Sequence, residues 1–303
     1  MKYIDLHCDS ATVCFDGAYS LSDAPLQVNI QKLNGADCAV QCFAVFTDGK
    51  NAENDFAKYV NFFLTSVREL NLTLVKSFNE LISCAQSKKT GAMLTVENSG
   101  FTDGDEAKIK ALKDIGVSMA SLVWNSENSL AYPNAEIKNS GKRLKERGRR
   151  AVELFDGLKI IIDVSHLSDG GVDEILERRK IPLVASHSNA RALCGHRRNL
   201  TDKQIKKIAD CGGVIGVNFY KKFLGDGDAF GCVLRHIEHI IKVGGEDVIA
   251  FGSDFDGIPE TEGLEGCEKM PSLIDYLSAH IGARATRKIC FDNFARVFKE
   301  VSG

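Results

Sequence analysis

Eight short, nearly unbroken apolar runs recur along the chain: Tyr3 to Leu6, Cys38 to Phe46, Ala92 to Val96, Met119 to Trp124, Ile160 to Ser165, Leu183 to Ser186, Val214 to Phe219 and Val248 to Gly252. Between them lie segments whose apolar residues return every three or four positions, among them Asp55 to Leu70, Asp105 to Ile115, Arg143 to Leu158, Gly170 to Arg179, Asp202 to Cys211 and Phe230 to Val243. The first pattern predicts strands buried on both faces, the second amphipathic helices. Strand and helix in alternation predict parallel pairing through crossover helices, and eight such strands close most economically into a (β/α)8 barrel of the TIM type. Phe15 to Pro25 and Ser126 to Ser140 are expected as the longer connections after strands, and Pro271 to Val301 as two or three short helices that close or cover the barrel. No linker, repeat or low-complexity tract divides the sequence, so residues 1–303 are expected to form one domain.

Composition changes this picture little: 303 residues, 44% hydrophobic and 26% charged, suit a globular protein of this size. A net charge of -3 argues against broad attraction to nucleic acid or to an anionic membrane surface. The one dense basic run, Lys142 to Arg150, is expected as the solvated face or first turns of a helix. No apolar stretch approaches the roughly 18 residues of a membrane span, and the first residues turn polar too soon for a signal peptide. A cytoplasmic location is therefore expected. The ten cysteines form no CxxC pair and are expected to be reduced and mostly buried. Cys8 draws notice because it stands between two ligand-type residues.

Chemistry enters at the carboxyl ends of the strands, the rim where such barrels build their sites. Two neighbouring strands end in Ser165-His166 and Ser186-His187, with the histidines 21 positions apart. Either histidine alone would serve as well to cap its strand against a backbone carbonyl or water. Further ligand-type residues stand at equivalent positions, however: His7 and Asp9 after the first strand, Glu97 after the third and Asp254 after the eighth. In an extended strand the side chains of His7 and Asp9 share one face, so both would point into the barrel mouth. Three imidazoles with the carboxylates of Asp9 and Glu97 suffice for two divalent ions if one carboxylate bridges them. Such a ligand set suits Zn, with Mn, Co or Fe as substitutes. Two ions can hold a hydroxide between them and polarise a carbonyl, which makes amide hydrolysis the expected reaction, with Asp254 as proton carrier. Asp256 is expected to shape its loop, and Ser165 and Ser186 to serve backbone groups rather than act as nucleophiles.

His7-Cys-Asp9, Asp163-Val-Ser-His166, Ser186-His187-Ser-Asn-Ala-Arg191, Arg197-Arg198-Asn199-Leu200, Gly212 to Phe219, Gly252-Ser-Asp-Phe-Asp-Gly257 and Asn293 to Phe298 occur in an order that resembles the membrane (renal) dipeptidase family of zinc peptidases, within the amidohydrolase-like barrels, in a bacterial-type cytoplasmic form. The resemblance implies that His7 and Asp9 bind one zinc, His166 and His187 a second, and that Glu97 bridges them. It implies that Asp254 handles the proton, and that Arg198 grips the free carboxylate of a dipeptide, a bidentate match for a guanidinium. Tolerance of a D-residue at the carboxyl-terminal position and a homodimer are implied as well. Where many relatives carry a histidine that polarises the scissile carbonyl, Leu122-Val-Trp-Asn125 places Trp124, whose indole can donate one hydrogen bond but cannot become a cation. Trp124 and Asn125 are expected to meet the substrate, with carbonyl activation resting more on the metals. Glu97 precedes Asn98-Ser99-Gly100 rather than the more usual glycine pair, which changes the adjacent backbone. A zinc-dependent dipeptidase is the leading expectation. A deacylase of N-acyl amino acids on the same barrel and a non-catalytic metal-binding protein are the alternatives.

Overall fold

A computed structural model of the protein describes residues 1–178 and 181–302; Arg179, the expected end of the helix begun at Gly170, and Gly303, the expected end of the domain, lie outside the described residues. The strands are β1 (Tyr3–Cys8), β2 (Cys38–Phe46), β3 (Gly91–Glu97), β4 (Val117–Ser121), β5 (Ile161–Asp163), β6 (Val184–Ala185), β7 (Val214–Val217) and β8 (Ile249–Phe251). All pair in parallel in sequence order, and β8 returns to β1 through Phe251 and Asp5 to close the expected barrel.

Ile4, Leu6, Val40, Cys42, Met93, Met119, Ile161, Val184, Val214 and Ala250 belong to one buried cluster with Phe294, Val297 and Phe298. A cluster that draws on all eight strands can only lie inside the barrel, so the final helix, Asn293–Ser302, seals its amino-terminal floor. Each of these fully buried phenylalanines contributes roughly 1.5–3 kcal/mol. The alternate strand residues, such as Phe43, Leu94, Ile162 and Phe251, pack outward against Phe63, Phe155, Ile205 and Ile237 of the surrounding helices. The carboxyl-terminal mouth is left for polar side chains.

Five strands, β4 to β8, stop sooner than their apolar runs suggest, and at β4, β5 and β6 the reason is polar. The Asp163 carboxylate accepts hydrogen bonds from the backbone N–H of Ser165 (2.9 Å) and of Ser186 (3.0 Å), taking both donors out of the β5–β6 ladder. The Ser121 carbonyl accepts from Ser99 Oγ (2.7 Å), so β4 ends there and Trp124 lies in the following loop. Asp5 spans the closing seam, accepting from Ser253 N (2.8 Å), Ser253 Oγ (2.6 Å) and Gln41 Nε2 (3.1 Å).

The six expected helices form, running Ala52–Glu69, Glu106–Asp114, Glu146–Gly157, Asp169–Arg178, Asp202–Asp210 and Ala229–Gly244. Thr201 and Gln204 close a capping box on the fifth. Short helices at Ser10–Asp16, Ile30–Gly35, Phe78–Gln86 and Lys221–Leu224 are additional; the third carries a Ser77/Glu80 capping box that the sequence displays. The first occupies the start of the expected Phe15 to Pro25 loop. The basic run after Lys142 is solvated and ion-paired, with Lys145 on Glu127, Arg147 on Asp103 and Arg149 on the buried Glu174. All ten cysteines are free, and Cys8 is packed with the outer apolar layer, away from the mouth. No helix among the described residues is long and apolar enough to cross a membrane.

Candidate metal centre

His7 is placed by β1, but Asp9 lies beyond the strand, at the N-cap of Ser10–Asp16 with φ -98° and ψ 8°. The expected shared strand face is therefore not how the two converge. A backbone bond from Asp9 N to Phe255 O (3.0 Å) and one from Asp254 N to His7 O (3.2 Å) stitch β1 to β8 beyond the ladder, bringing both carboxylates to His7. His7 Nε2 is 3.5 Å from Asp9 Oδ2, 3.8 Å from Glu97 Oε2 and 3.7 Å from Asp254 Oδ1. Asp256, as expected, holds its loop: its carboxylate accepts from Gln27 N (2.8 Å), Val28 N (3.2 Å) and Ser10 Oγ (2.5 Å). A Cβ at Gly257 would strike Asp9 Oδ2, so a side chain there would displace that carboxylate.

The other oxygen of Glu97 faces a second group. His166 Nε2 is 2.9 Å from His187 Nε2 and 2.9 Å from Glu97 Oε1, and His187 Nε2 is 3.7 Å from the same oxygen. Hydrogen-bond partners fix which ring nitrogens carry protons. Ser186 Oγ donates its proton to Asp163 Oδ2 (2.5 Å), so it accepts from His187 Nδ1 (2.7 Å). His166 Nδ1 donates to Asn125 Oδ1 (3.0 Å). Burial first, then Arg198 and His7, hold both imidazoles well below their ordinary pKa, so both are neutral. Two Nε2 lone pairs thus face each other with no proton between them and with Glu97 Oε1 beside them, while His7 Nε2 and Asp9 Oδ1 are buried without hydrogen-bond partners. Acceptors so arranged call for cations, and imidazole with carboxylate is a donor set for zinc-class ions.

Charge in the cluster follows burial and proximity. Burial opposes a charge on His7, but Glu97, Asp9 and Asp254 together raise it to about 10. Burial, reinforced by Asp9, raises Glu97 well above the carboxylate range. Burial also raises Asp254 to about 6. His166 and Asp254 both adopt φ 67° and Asn98 φ 71°, left-handed backbone that non-glycine residues hold at a cost and that concentrates at functional sites.

A cavity of about 400 Å³ opens onto the cluster, bounded by Asp9, Glu97, Trp124, Asn125, His166, Arg198 and Asp254 together with Tyr220, Lys222 and Phe223. All the sequence-predicted site residues except His7 and His187 line it; those two sit deeper. Trp124 packs at 4.5 Å on Phe46 and 6.3 Å from the His166 ring. Asn125, expected to meet substrate, also orients His166. Arg198 is buried; its Nη2 donates to His187 O (3.3 Å), and its Nη1 has no partner. The loop carrying it is held by Arg191, which pairs with Asp169 (2.7 Å) and donates to the carbonyls of Asn199 (2.7 Å) and Arg197 (2.9 Å). Asn218, unassigned in the sequence, donates to Asp254 Oδ2 (2.7 Å) and is itself set by Asn189 through reciprocal bonds of 2.9 Å. Its only sequence signal is its place just past the end of β7.

A parallel eight-stranded barrel with imidazoles and carboxylates gathered at the carboxyl-terminal mouth defines a metal-dependent hydrolase. The family model for membrane dipeptidases, peptidase family M19, matches residues 1–303, and the chain belongs to that family. It is accordingly a metallo-dipeptidase. An uncharacterised Klebsiella pneumoniae protein encoded in the pqqA 5' region is 34% identical over 243 residues, covering 76% of this chain and 89% of that one. An uncharacterised dipeptidase of Schizosaccharomyces pombe is 29% identical over 269 residues, covering 81% of this chain and 65% of that longer one. Among solved structures, dipeptidase AC, a metallopeptidase of family M19, superposes with a TM-score of 0.94 at 23% identity, covering 100% and 99% of the two chains. A Rhodobacter sphaeroides metallopeptidase bound to a phosphinate mimic of L-Ala-D-Ala gives 0.91 at 23% identity, covering 99% of each.

Proposed function

We propose that this metallo-dipeptidase uses two zinc ions, one held by His7 and Asp9 and one by His166 and His187, with Glu97 between them. The observation that carries the reading is the pair of facing Nε2 lone pairs of His166 and His187, 2.9 Å apart, with Glu97 Oε1 2.9 Å from the first. Bound there, the ions supply Lewis-acid polarisation of a peptide carbonyl and an activated water at neutral pH. Arg198 turns its unpartnered Nη1 to the terminal carboxylate of the substrate and so limits substrates to two residues. Asp254, with one oxygen pinned by Asn218, keeps the other free to take the proton from the attacking water and return it to the leaving amine. Trp124 and Asn125 border the scissile bond. A D-residue is accepted at the second position, in keeping with the L-Ala-D-Ala mimic bound by the Rhodobacter neighbour. The chain acts as one unit in the cytoplasm.

A panel of dipeptides with L- and D-residues at the second position, assayed with zinc-loaded and chelated protein, tests this reading. Hydrolysis of both series, lost on chelation and restored by zinc, is expected. Turnover that survives complete metal removal would contradict it.

A further inference from the structure

The cavity wall built by the β6 and β7 connections is cationic beyond what a simple dipeptide requires. Arg198 and Lys222 both line it, whereas its carboxylates, Asp9, Glu97 and Asp254, all belong to the metal cluster. Once Arg198 has taken the terminal carboxylate, Lys222 remains. Among the described residues no carboxylate lies within ion-pair distance of Lys222; its Nζ sits 5.8 Å from the Tyr220 ring. That ring packs at 4.9 Å on Phe223, which also lies under the Arg198 guanidinium at 5.6 Å and against the His196 ring at 4.4 Å. One aromatic cluster thus holds both cations and a histidine at the same end of the cavity. His196 Nδ1 accepts from Arg198 N (3.2 Å), which leaves its Nε2–H to donate. Burial first, then Arg198, Lys222, Arg197 and Arg191, keep His196 below its ordinary pKa, a sign that its surroundings are positive.

Resting on the dipeptidase reading above, we infer that Lys222 and His196 form an anion subsite beside Arg198, which makes dipeptides with an acidic carboxyl-terminal residue, Asp or Glu, the preferred substrates. A lysine is suited to this, because a point charge on a flexible stem reaches either side-chain length without demanding one geometry. The subsite acts on binding, equally in ground and transition state, so its effect falls in KM.

The test compares Ala-Glu with the near-isosteric Ala-Gln, in both stereochemical series at the second residue, on zinc-loaded protein. A charge-assisted contact at the cavity mouth, where Lys222 and His196 are exposed, predicts kcat/KM up to about ten-fold higher for Ala-Glu, carried by KM and shrinking at high salt. The ratio should fall toward one in Lys222→Met and invert in Lys222→Glu. If wild type hydrolyses both substrates equally well, or if Lys222→Met leaves the ratio unchanged, the subsite is wrong while the dipeptidase reading stands. If zinc-loaded protein hydrolyses no dipeptide, both fall.

Discussion

Ser186 has one hydroxyl proton, and Asp163 takes it. His187 must then donate from Nδ1, which turns the Nε2 lone pair toward Glu97 and His166. A relay of this kind tunes a ligand without touching the metal, and its loss typically weakens metal affinity about 10- to 100-fold. Ser186→Ala is expected to lower zinc affinity by that order in competition with a chelating dye; an unchanged affinity would remove the relay. Asp254→Asn, by contrast, should retain bound zinc while kcat falls about 10²- to 10⁴-fold, the span of general acid–base catalysis. An Asp254→Asn protein as active as wild type would leave the proton without a carrier. The ligand-type residues were legible only together, because imidazoles and carboxylates recur past several strand ends, whereas either histidine alone reads equally well as a strand cap. Ser186 and Asn218 were not: each acquires its role from a residue 23 or 36 positions away, Asp163 at the end of β5 and Asp254 beyond β8.

At the level of elements, the mouth is arranged by what interrupts regular structure. The apolar runs located all eight strands but overran β4 to β8; at β4, β5 and β6 hydrophobicity continues past the point where Ser121 and Asp163 divert the ladder. The helix that begins at Ser10 was hidden for the opposite reason: it starts directly after the strand, with no capping side chain to announce it. The helix Ala229–Gly244 reaches into the same region through buried His236, whose Nδ1 accepts from Ala190 N (3.1 Å) and whose Nε2 donates to Leu224 O (3.2 Å), joining the β6 and β7 connections. Burial lowers His236 to about 4 from 6.5, so the folded state holds it neutral while the unfolded chain protonates it as pH drops below 6.5. The stabilisation is present above pH 6.5 and is lost as pH falls toward 4, amounting to about 2 kcal/mol by pH 5. Unfolding free energies from urea titrations at pH 7 and pH 5 should therefore differ by about that much more for wild type than for His236→Gln. Parallel shifts in the two proteins would contradict the assignment.

Across the whole molecule, closure of the barrel is what turns residues spread from His7 to Asp254 into one cluster. The alternation of strand and helix made that architecture readable before any contact was known. The carboxyl-terminal segment was expected to close or cover the barrel; Phe294 and Phe298 fix it at the floor, which leaves the mouth open to substrate. The near-neutral total charge gave no sign of the cationic wall, because Lys222 and Arg198 meet only when the β6 and β7 connections pack together through Phe223. The central claim, that the mouth works as a two-ion centre, is tested most directly by titrating metal-free protein with zinc while following dipeptide hydrolysis. Activity that climbs until two equivalents per chain are bound, and then stays level, is the predicted result. Full activity at one equivalent, or activity without any metal, would contradict it.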